Sequence, residues 1–305
     1  MTVQARRSPV VRRTISGLFS GLTGLSVVLV VGILLLIVGD AALGGWTRLS
    51  WKFLTSAPEE GMTAGGIFPA IWGTAVLTLL MTVAVMPVGV VTAIYLSEYA
   101  PAGSRLAALV RTAVQNLAGV PSVVFGLFGL GFFVRFVGER MDSALGGELT
   151  WGQPGLLWAA LTLAVLTLPV VIVATEEALR TVPADLRTAS IALGATQSQT
   201  LARVVLPSAL PGILTGAILA VSRGAGEVAP ILLTGAAYYL PDLPKALSSQ
   251  FMHLGYHTYV MATQSPDVDA TRPLLYGTVL VLLALTFSLN FVAILIRSRS
   301  RRQAS

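Results

Sequence analysis

Six apolar runs limit what this chain can become more than any other feature: Ser16–Val38, Ile67–Tyr95, Thr112–Val134, Leu156–Thr175, Ala209–Leu233 and Leu274–Ile296. A bilayer core of roughly 30 Å is crossed by about 20 apolar residues in a helix. Within lipid every backbone N–H and C=O needs a partner inside the protein, which favours helices for runs of this length. Composition agrees: 54% of the residues are hydrophobic and only 11% charged, against roughly a quarter charged in soluble domains. So little charge does not cover a water-facing surface. The expected fold class is an all-α polytopic membrane protein with six transmembrane helices.

Four arginines, Arg6, Arg7, Arg12 and Arg13, precede the first run and imitate a secretory signal. The run is longer than the ~7–15 apolar residues of such a signal, and Asp40-Ala41-Ala42 makes a poor cleavage site. It is read as an uncleaved first span. The net charge of +6 forms no basic stripe and does not indicate nucleic acid. Instead the basic residues sort by side. Arg6, Arg7, Arg12, Arg13, Arg105, Arg111, Arg180, Arg187, Arg203, Arg297, Arg299, Arg301 and Arg302 fall on one side, and Arg48, Lys52, Arg135, Arg140, Lys245 and Arg272 on the other. The richer side is expected to be cytoplasmic, with both termini inside. The resulting plan is a basic tail over 1–15, a first helix with its outer loop over 16–66, a core transmembrane domain over 67–296, and a second basic tail over 297–305.

Two connections are long. The outer segment Ala236–Arg272 carries Tyr238, Tyr239, Tyr256 and Tyr259, which suit the membrane interface, together with His253 and His257. Two imidazoles without a third ligand are weak evidence for zinc, so a solvated or interfacial role is expected for them. The inner segment Glu176–Ser208 is polar. Asp185 begins a short helix through Leu193, Gly194 ends it, and a second helix runs from Thr196 to Val205 and stops at Pro207. On physical grounds alone this hairpin is either an ordinary connection or a handle for another subunit. Glu176 and Glu177 are read as charges at a helix end.

Here the sequence resembles a known family. Thr188-Ala189-Ser190, then Gly194, then Val204-x-Leu206-Pro207 is similar to the EAA loop of ABC importer permeases, with Thr188 and Ser190 replacing its Glu and Ala. Gly65-Gly66-Ile67, Pro69–Thr74, Pro87–Val90, Ala93–Tyr99 and Asn116–Ser122 resemble segments of phosphate importer permeases. Arg223-Gly224-Ala225-Gly226-Glu227-Val228-Ala229-Pro230 is similar to the R-x-x-G-E-T-A-P of the PstA type, with Val228 in place of Thr. The resemblance spans about Gly17 to Arg302. It implies a type I importer permease fold of the MetI-like kind, without enzymatic activity or cofactor of its own. The implied partners are a homologous permease (PstC type), a dimeric ATPase (PstB type) and a phosphate-binding protein (PstS type), in a bacterial plasma (inner) membrane. The hairpin residues Thr188, Ala189, Ser190, Gly194, Leu206 and Pro207 would then couple to the ATPase.

Arg223 and Glu227 fall inside the fifth run at i and i+4, expected on one helical face. Charges within a membrane usually face a bundle interior or a wet cavity and pair with one another. The pair is read either as a structural ion pair or as a substrate-path site, since a guanidinium fork matches the oxygens of phosphate. The only lysines, Lys52 and Lys245, follow no GxxxxGK[ST] loop, so no P-loop ATPase is expected here. Two rivals remain: a permease for another oxyanion such as sulfate or molybdate, and a stand-alone channel or ion-coupled transporter.

Overall fold

The computed structural model describes residues 9–59, 64–101, 103–265 and 267–304. Arg6, Arg7 and Glu60 lie outside them. Helix α1 (Pro9–Gly45) is followed by a short 3-10 turn, Trp46–Arg48, and by α2 (Trp51–Thr55), capped where the Ser50 hydroxyl accepts from the Phe53 N–H. A two-strand ribbon, β1 (Pro58–Glu59) and antiparallel β2 (Ala64–Gly65), leads into α3 (Phe68–Ile94). There follow α4 (Arg105–Ala118), α5 (Ser122–Phe128), a π-helical stretch Gly129–Gly138, and α6 (Glu139–Leu145). Next come α7 (Leu156–Arg180), α8 (Ala184–Ala192), α9 (Gln197–Thr200) and α10 (Leu206–Gly226). Helices α11 (Ala229–Thr234), α12 (Leu254–Thr263) and α13 (Val268–Ala304) complete the chain.

Among the described residues, six helical stretches are long and apolar enough to cross a membrane: Ser16–Arg48, Phe68–Tyr99, Ser122–Leu145, Leu156–Arg180, Gln197–Gly226 and Val268–Leu295. The third and fifth are corrected relative to the sequence. Thr112–Val134 is not one helix. Gly119, Val120 and Pro121 separate the amphipathic α4 from a span that begins at Ser122. Pro121 lacks an N–H and disfavours helix at the residue before it, so the run breaks there. The fifth span begins in the hairpin and ends at Gly226, short of the expected Leu233.

The spans differ in environment. In α7, 67% of the apolar window is buried, whereas in α1 the figure is 0%. Helix α7 is therefore the axis of the bundle, packed between α3 and α10, and α1 leans chiefly on α13. Small residues bring the backbones together: side chains at Gly212 and Gly216 of α10 would collide with Ala178 and Ala174 of α7. In lipid, where apolar burial adds little between helices, such close packing is what holds them. Leu77, Met81, Val85, Leu163, Val171 and Ile231 fill the space between α3, α7, α10 and α11. Trp46 and Trp51 are exposed at the end of α1 opposite the hairpin, as an interfacial aromatic belt requires.

Part of the outer segment leaves the surface of the bundle. Phe251, Met252, His253 and Leu254 are fully buried. The Leu254 N–H donates to Thr74 Oγ1 at 2.9 Å, and Gly73 of α3 leaves room for the Met252 carbonyl. The loop folds back into the bundle. Tyr238, Tyr239 and Tyr259 remain exposed while Tyr256 packs on the core.

Candidate functional site

Two places concentrate the chemistry. The first is the break after α10. Arg223 lies in the last turn of that helix, where the dipole favours a cation. Glu227 is extended (φ −75°, ψ 135°), just past the helix end. The expectation of two residues on one helical face is thus corrected. Gly224 and Gly226 weaken the helix, and Pro230 restarts it in the first turn of α11, where its missing N–H costs nothing. The pair still forms, with Arg223 Nε donating to Glu227 Oε1 at 3.4 Å.

Depth follows from packing. A Cβ on Gly224 would collide with Met81 Sδ, and Met81 sits midway along α3. The Ser222 hydroxyl bonds the Asn290 side chain of α13 at the same level. The Arg223 side chain is nevertheless 40% exposed, and that of Glu227 19%. Charges at such depth usually face a bundle interior or a wet cavity rather than hydrocarbon. Gly126 of α5, in the span that follows the break at 119–121, abuts the backbone of Ala229 and Pro230. Beside it an apolar cleft of about 400 Å3 is lined by Leu117, Val120, Val124, Phe125, Phe128 and Val165. Non-helical backbone at membrane depth is tolerated where it lines a cavity or is covered by protein.

The second place is the hairpin. Helix α8 buries no residue. Gly194 adopts φ +86°, the left-handed turn its position demanded. Thr196 and Gln199 close a reciprocal capping box at the start of α9. Leu186, Ile191 and Leu193 are exposed, Leu193 to 89%. Thr188 spends its hydroxyl on the Ala184 carbonyl, and Ser190 bonds Thr200 across the hairpin at 2.9 Å. The two positions that depart from the EAA pattern are thus both absorbed internally. Ala189 is exposed beside them.

One expectation fails: the second helix does not stop at Pro207. The chain widens into a π-helical turn, Leu201–Val205, and continues through Leu206 and Pro207 into α10. The wider turn takes up the hydrogen bond that proline cannot donate. Hairpin and fifth span are therefore one continuous rod.

Charged partners at the hairpin base escaped the sequence reading. Glu176 is buried rather than a free helix-end charge. It accepts from Arg111 Nη2 at 3.1 Å and lies 3.9 Å from Arg180, and Arg111 also donates to the Leu96 carbonyl. Arg187 Nη2 donates to Glu98 Oε1 at 3.0 Å. The partners are 65 and 89 residues apart, and charges flanking apolar runs were the only hint. His253 and His257, expected to be solvated or interfacial, are buried instead. Nδ1 of His253 accepts from the Gly255 N–H at the start of α12, while His253 Nε2 and His257 Nδ1 have no partner among the described residues. Burial pushes His253 down to about 3 and His257 to about 4, because desolvation disfavours the imidazolium. Among the described residues no cluster of three or more His, Cys, Asp or Glu side chains is placed to hold a metal.

Residues 86–302 match the family of binding-protein-dependent transport system inner membrane components. The chain is 34% identical to a probable ABC transporter permease protein YqgI of Bacillus subtilis, over 73% of this chain and 71% of the relative. It is 33% identical to the phosphate transport system permease protein PstA 1 of Mycobacterium tuberculosis, over 85% of this chain and 80% of the relative. Among solved structures, a bacterial alginate ABC transporter in complex with its alginate-bound periplasmic protein aligns with a TM-score of 0.66 at 16% identity, over 92% of this chain and 93% of that one. The inward-facing MetNI methionine ABC transporter aligns with a TM-score of 0.60 at 21% identity, over 76% and 94%. The chain belongs to the family of binding-protein-dependent transport system inner membrane components, and its fold is that of a six-span type I ABC importer permease.

Proposed function

We propose that this chain is the permease subunit of an ATP-driven importer of inorganic phosphate, of the PstA type. The observation that carries the reading is Arg223, a guanidinium at mid-span that is open on the protomer surface and held by a single 3.4 Å bond to Glu227. Lipid is not a tolerable neighbour for it, and a tetrahedral oxyanion in transit is a natural one. Relatives named as phosphate transport permeases support the choice of phosphate over sulfate or molybdate.

A second, homologous permease (PstC type) would close the path against the Arg223 face. A dimeric ATPase (PstB type) would grip the hairpin through Leu186, Ile191 and Leu193, with Gly194 setting the turn. A phosphate-binding protein (PstS type) would deliver substrate at the opposite end. The assembly would lie in the bacterial plasma (inner) membrane with both termini cytoplasmic. ATP binding would bring the ATPase subunits together, move the hairpins, and tilt the rod formed by α9 and α10 so that access switches from outside to inside. ATP hydrolysis would belong to the partner.

The test is reconstitution with the three partners in liposomes, reading ATP-dependent accumulation of radiolabelled phosphate. Arg223→Lys should keep the charge yet impair uptake, because an ammonium does not reproduce the two-pronged fork. Full uptake by Arg223→Ala at normal protein level removes the pair from the mechanism. Accumulation without the ATPase would favour a stand-alone channel or ion-coupled carrier.

A further inference from the structure

Helix α8 has no buried side chain with which to hold its position, yet a handle that transmits force must be fixed to what it moves. The fixing is polar and converges on one residue of another span. Glu98 lies in the five-residue π-helical turn Tyr95–Tyr99 that ends α3. Its carboxylate accepts from Arg187 Nη2 of α8 at 3.0 Å, and its backbone carbonyl accepts from Gln197 Nε2 of α9 at 2.8 Å. Both legs of the hairpin therefore clasp the same residue.

Arg187 reaches further, donating to the Leu179 carbonyl at 2.7 Å and the Val182 carbonyl at 3.3 Å beside the end of α7. The Arg187 and Glu98 side chains are 27% and 15% exposed, so the contact is sheltered from water. A sheltered, charge-assisted contact in which one guanidinium holds a carboxylate and two backbone carbonyls is stiff where an exposed ion pair is not.

We propose that Arg187, Glu98 and Gln197 are positioning residues that link the ATPase-gripping hairpin to α3 and α7. Movement of the hairpin then drives the second and fourth spans as well as its own continuation, α10. The proposal rests on the reading of the hairpin as the ATPase handle. Without the clasp the hairpin still docks and the ATPase still turns over, but its stroke is spent in α8 and α10 and reaches α3 weakly. The widened turn at Tyr95–Tyr99, where the Ala100 N–H reaches back to the Tyr95 carbonyl at 2.8 Å, is the element on which that stroke acts.

The experiment uses the complete reconstituted transporter and measures ATP hydrolysis and accumulation of radiolabelled phosphate in the same vesicles. Arg187→Ala and Glu98→Gln should retain hydrolysis while phosphate moved per ATP falls about five- to tenfold, the size expected when a coupling contact is lost. Arg187→Lys, which keeps charge and donors, should recover part of the ratio, and Gln197→Ala should lower it less than Arg187→Ala. A fall in hydrolysis and transport in equal proportion, tracking the amount of assembled complex, overturns the linkage in favour of a merely structural contact. An unchanged ratio in all four variants overturns it as well. If the unmodified complex shows no ATP-driven accumulation, the reading of the hairpin beneath the proposal fails first, and that outcome is visible before any variant is made.

Discussion

Two arginine–glutamate pairs in this chain look alike on paper and differ in kind. Arg187 and Glu98 meet at 3.0 Å, with the guanidinium also bonded to two backbone carbonyls and largely covered. Arg223 and Glu227 meet at 3.4 Å through one bond, with the guanidinium 40% exposed. The first arginine makes three hydrogen bonds to protein, as a brace does, with its buried Nε unpartnered among the described residues. The second makes one hydrogen bond among the described residues and is otherwise open. Charge alone does not distinguish structural from functional arginines here; the number of committed donors does.

The largest effect should come from the open pair. Arg223→Ala is expected to lower phosphate uptake at least about tenfold with normal assembly, since a lost charge-assisted contact is worth on the order of 1.5–3 kcal/mol; uptake rate against membrane protein level checks it. Transport by Arg223→Lys equal to that of the unmodified chain would erase the contrast drawn above.

Next in size is Glu176→Gln, which leaves Arg111 without its carboxylate. A cost of about 2 kcal/mol is expected, below that of a fully buried pair because Arg111 remains partly solvated. Thermal unfolding of the purified complex reads it. Gly194→Ala should cost about 1 kcal/mol, because φ +86° is strained for any residue with a Cβ. The hairpin is exposed there, so the loss should appear as weaker ATPase retention on purification more than as a lower melting temperature.

The smallest effect at neutral pH belongs to the buried histidines. Both are neutral in the folded chain, with pKa values pushed to about 3 and 4, whereas an unfolded imidazole takes up its proton near 6.5. Stability is then complete above about pH 6.5 and is lost progressively as pH falls toward 4, because only the unfolded state binds the protons. His257→Gln should flatten that decline, and melting temperatures from pH 7.5 to 5 measure the slope. Equal slopes in the two proteins would mean that His257 is not what makes the outer segment acid-sensitive.

The histidines also show where reading by residue type stops. A polar, tyrosine-rich segment between two spans suggests a solvated loop, and nothing local marks Phe251–Leu254 as buried. Their burial depends on Gly73 and Thr74 of α3, some 180 residues earlier. The Gly194 turn was legible because a left-handed residue announces itself as glycine between two helical segments. The continuation through Pro207 was not, since proline normally ends a helix and a π-helical turn leaves no mark in composition. The break at Glu227 was hidden for the opposite reason: an apolar run averages over it.

The sequence by itself determined the six spans and the helix–glycine–helix hairpin, because span length and turn chemistry are written in neighbouring residues. Only the tertiary structure decided which charges are committed and which are open. The partners of Arg187 and Glu176 include residues of other helices, Glu98 and Arg111, and it is helix packing that brings a guanidinium against a carboxylate or leaves it open.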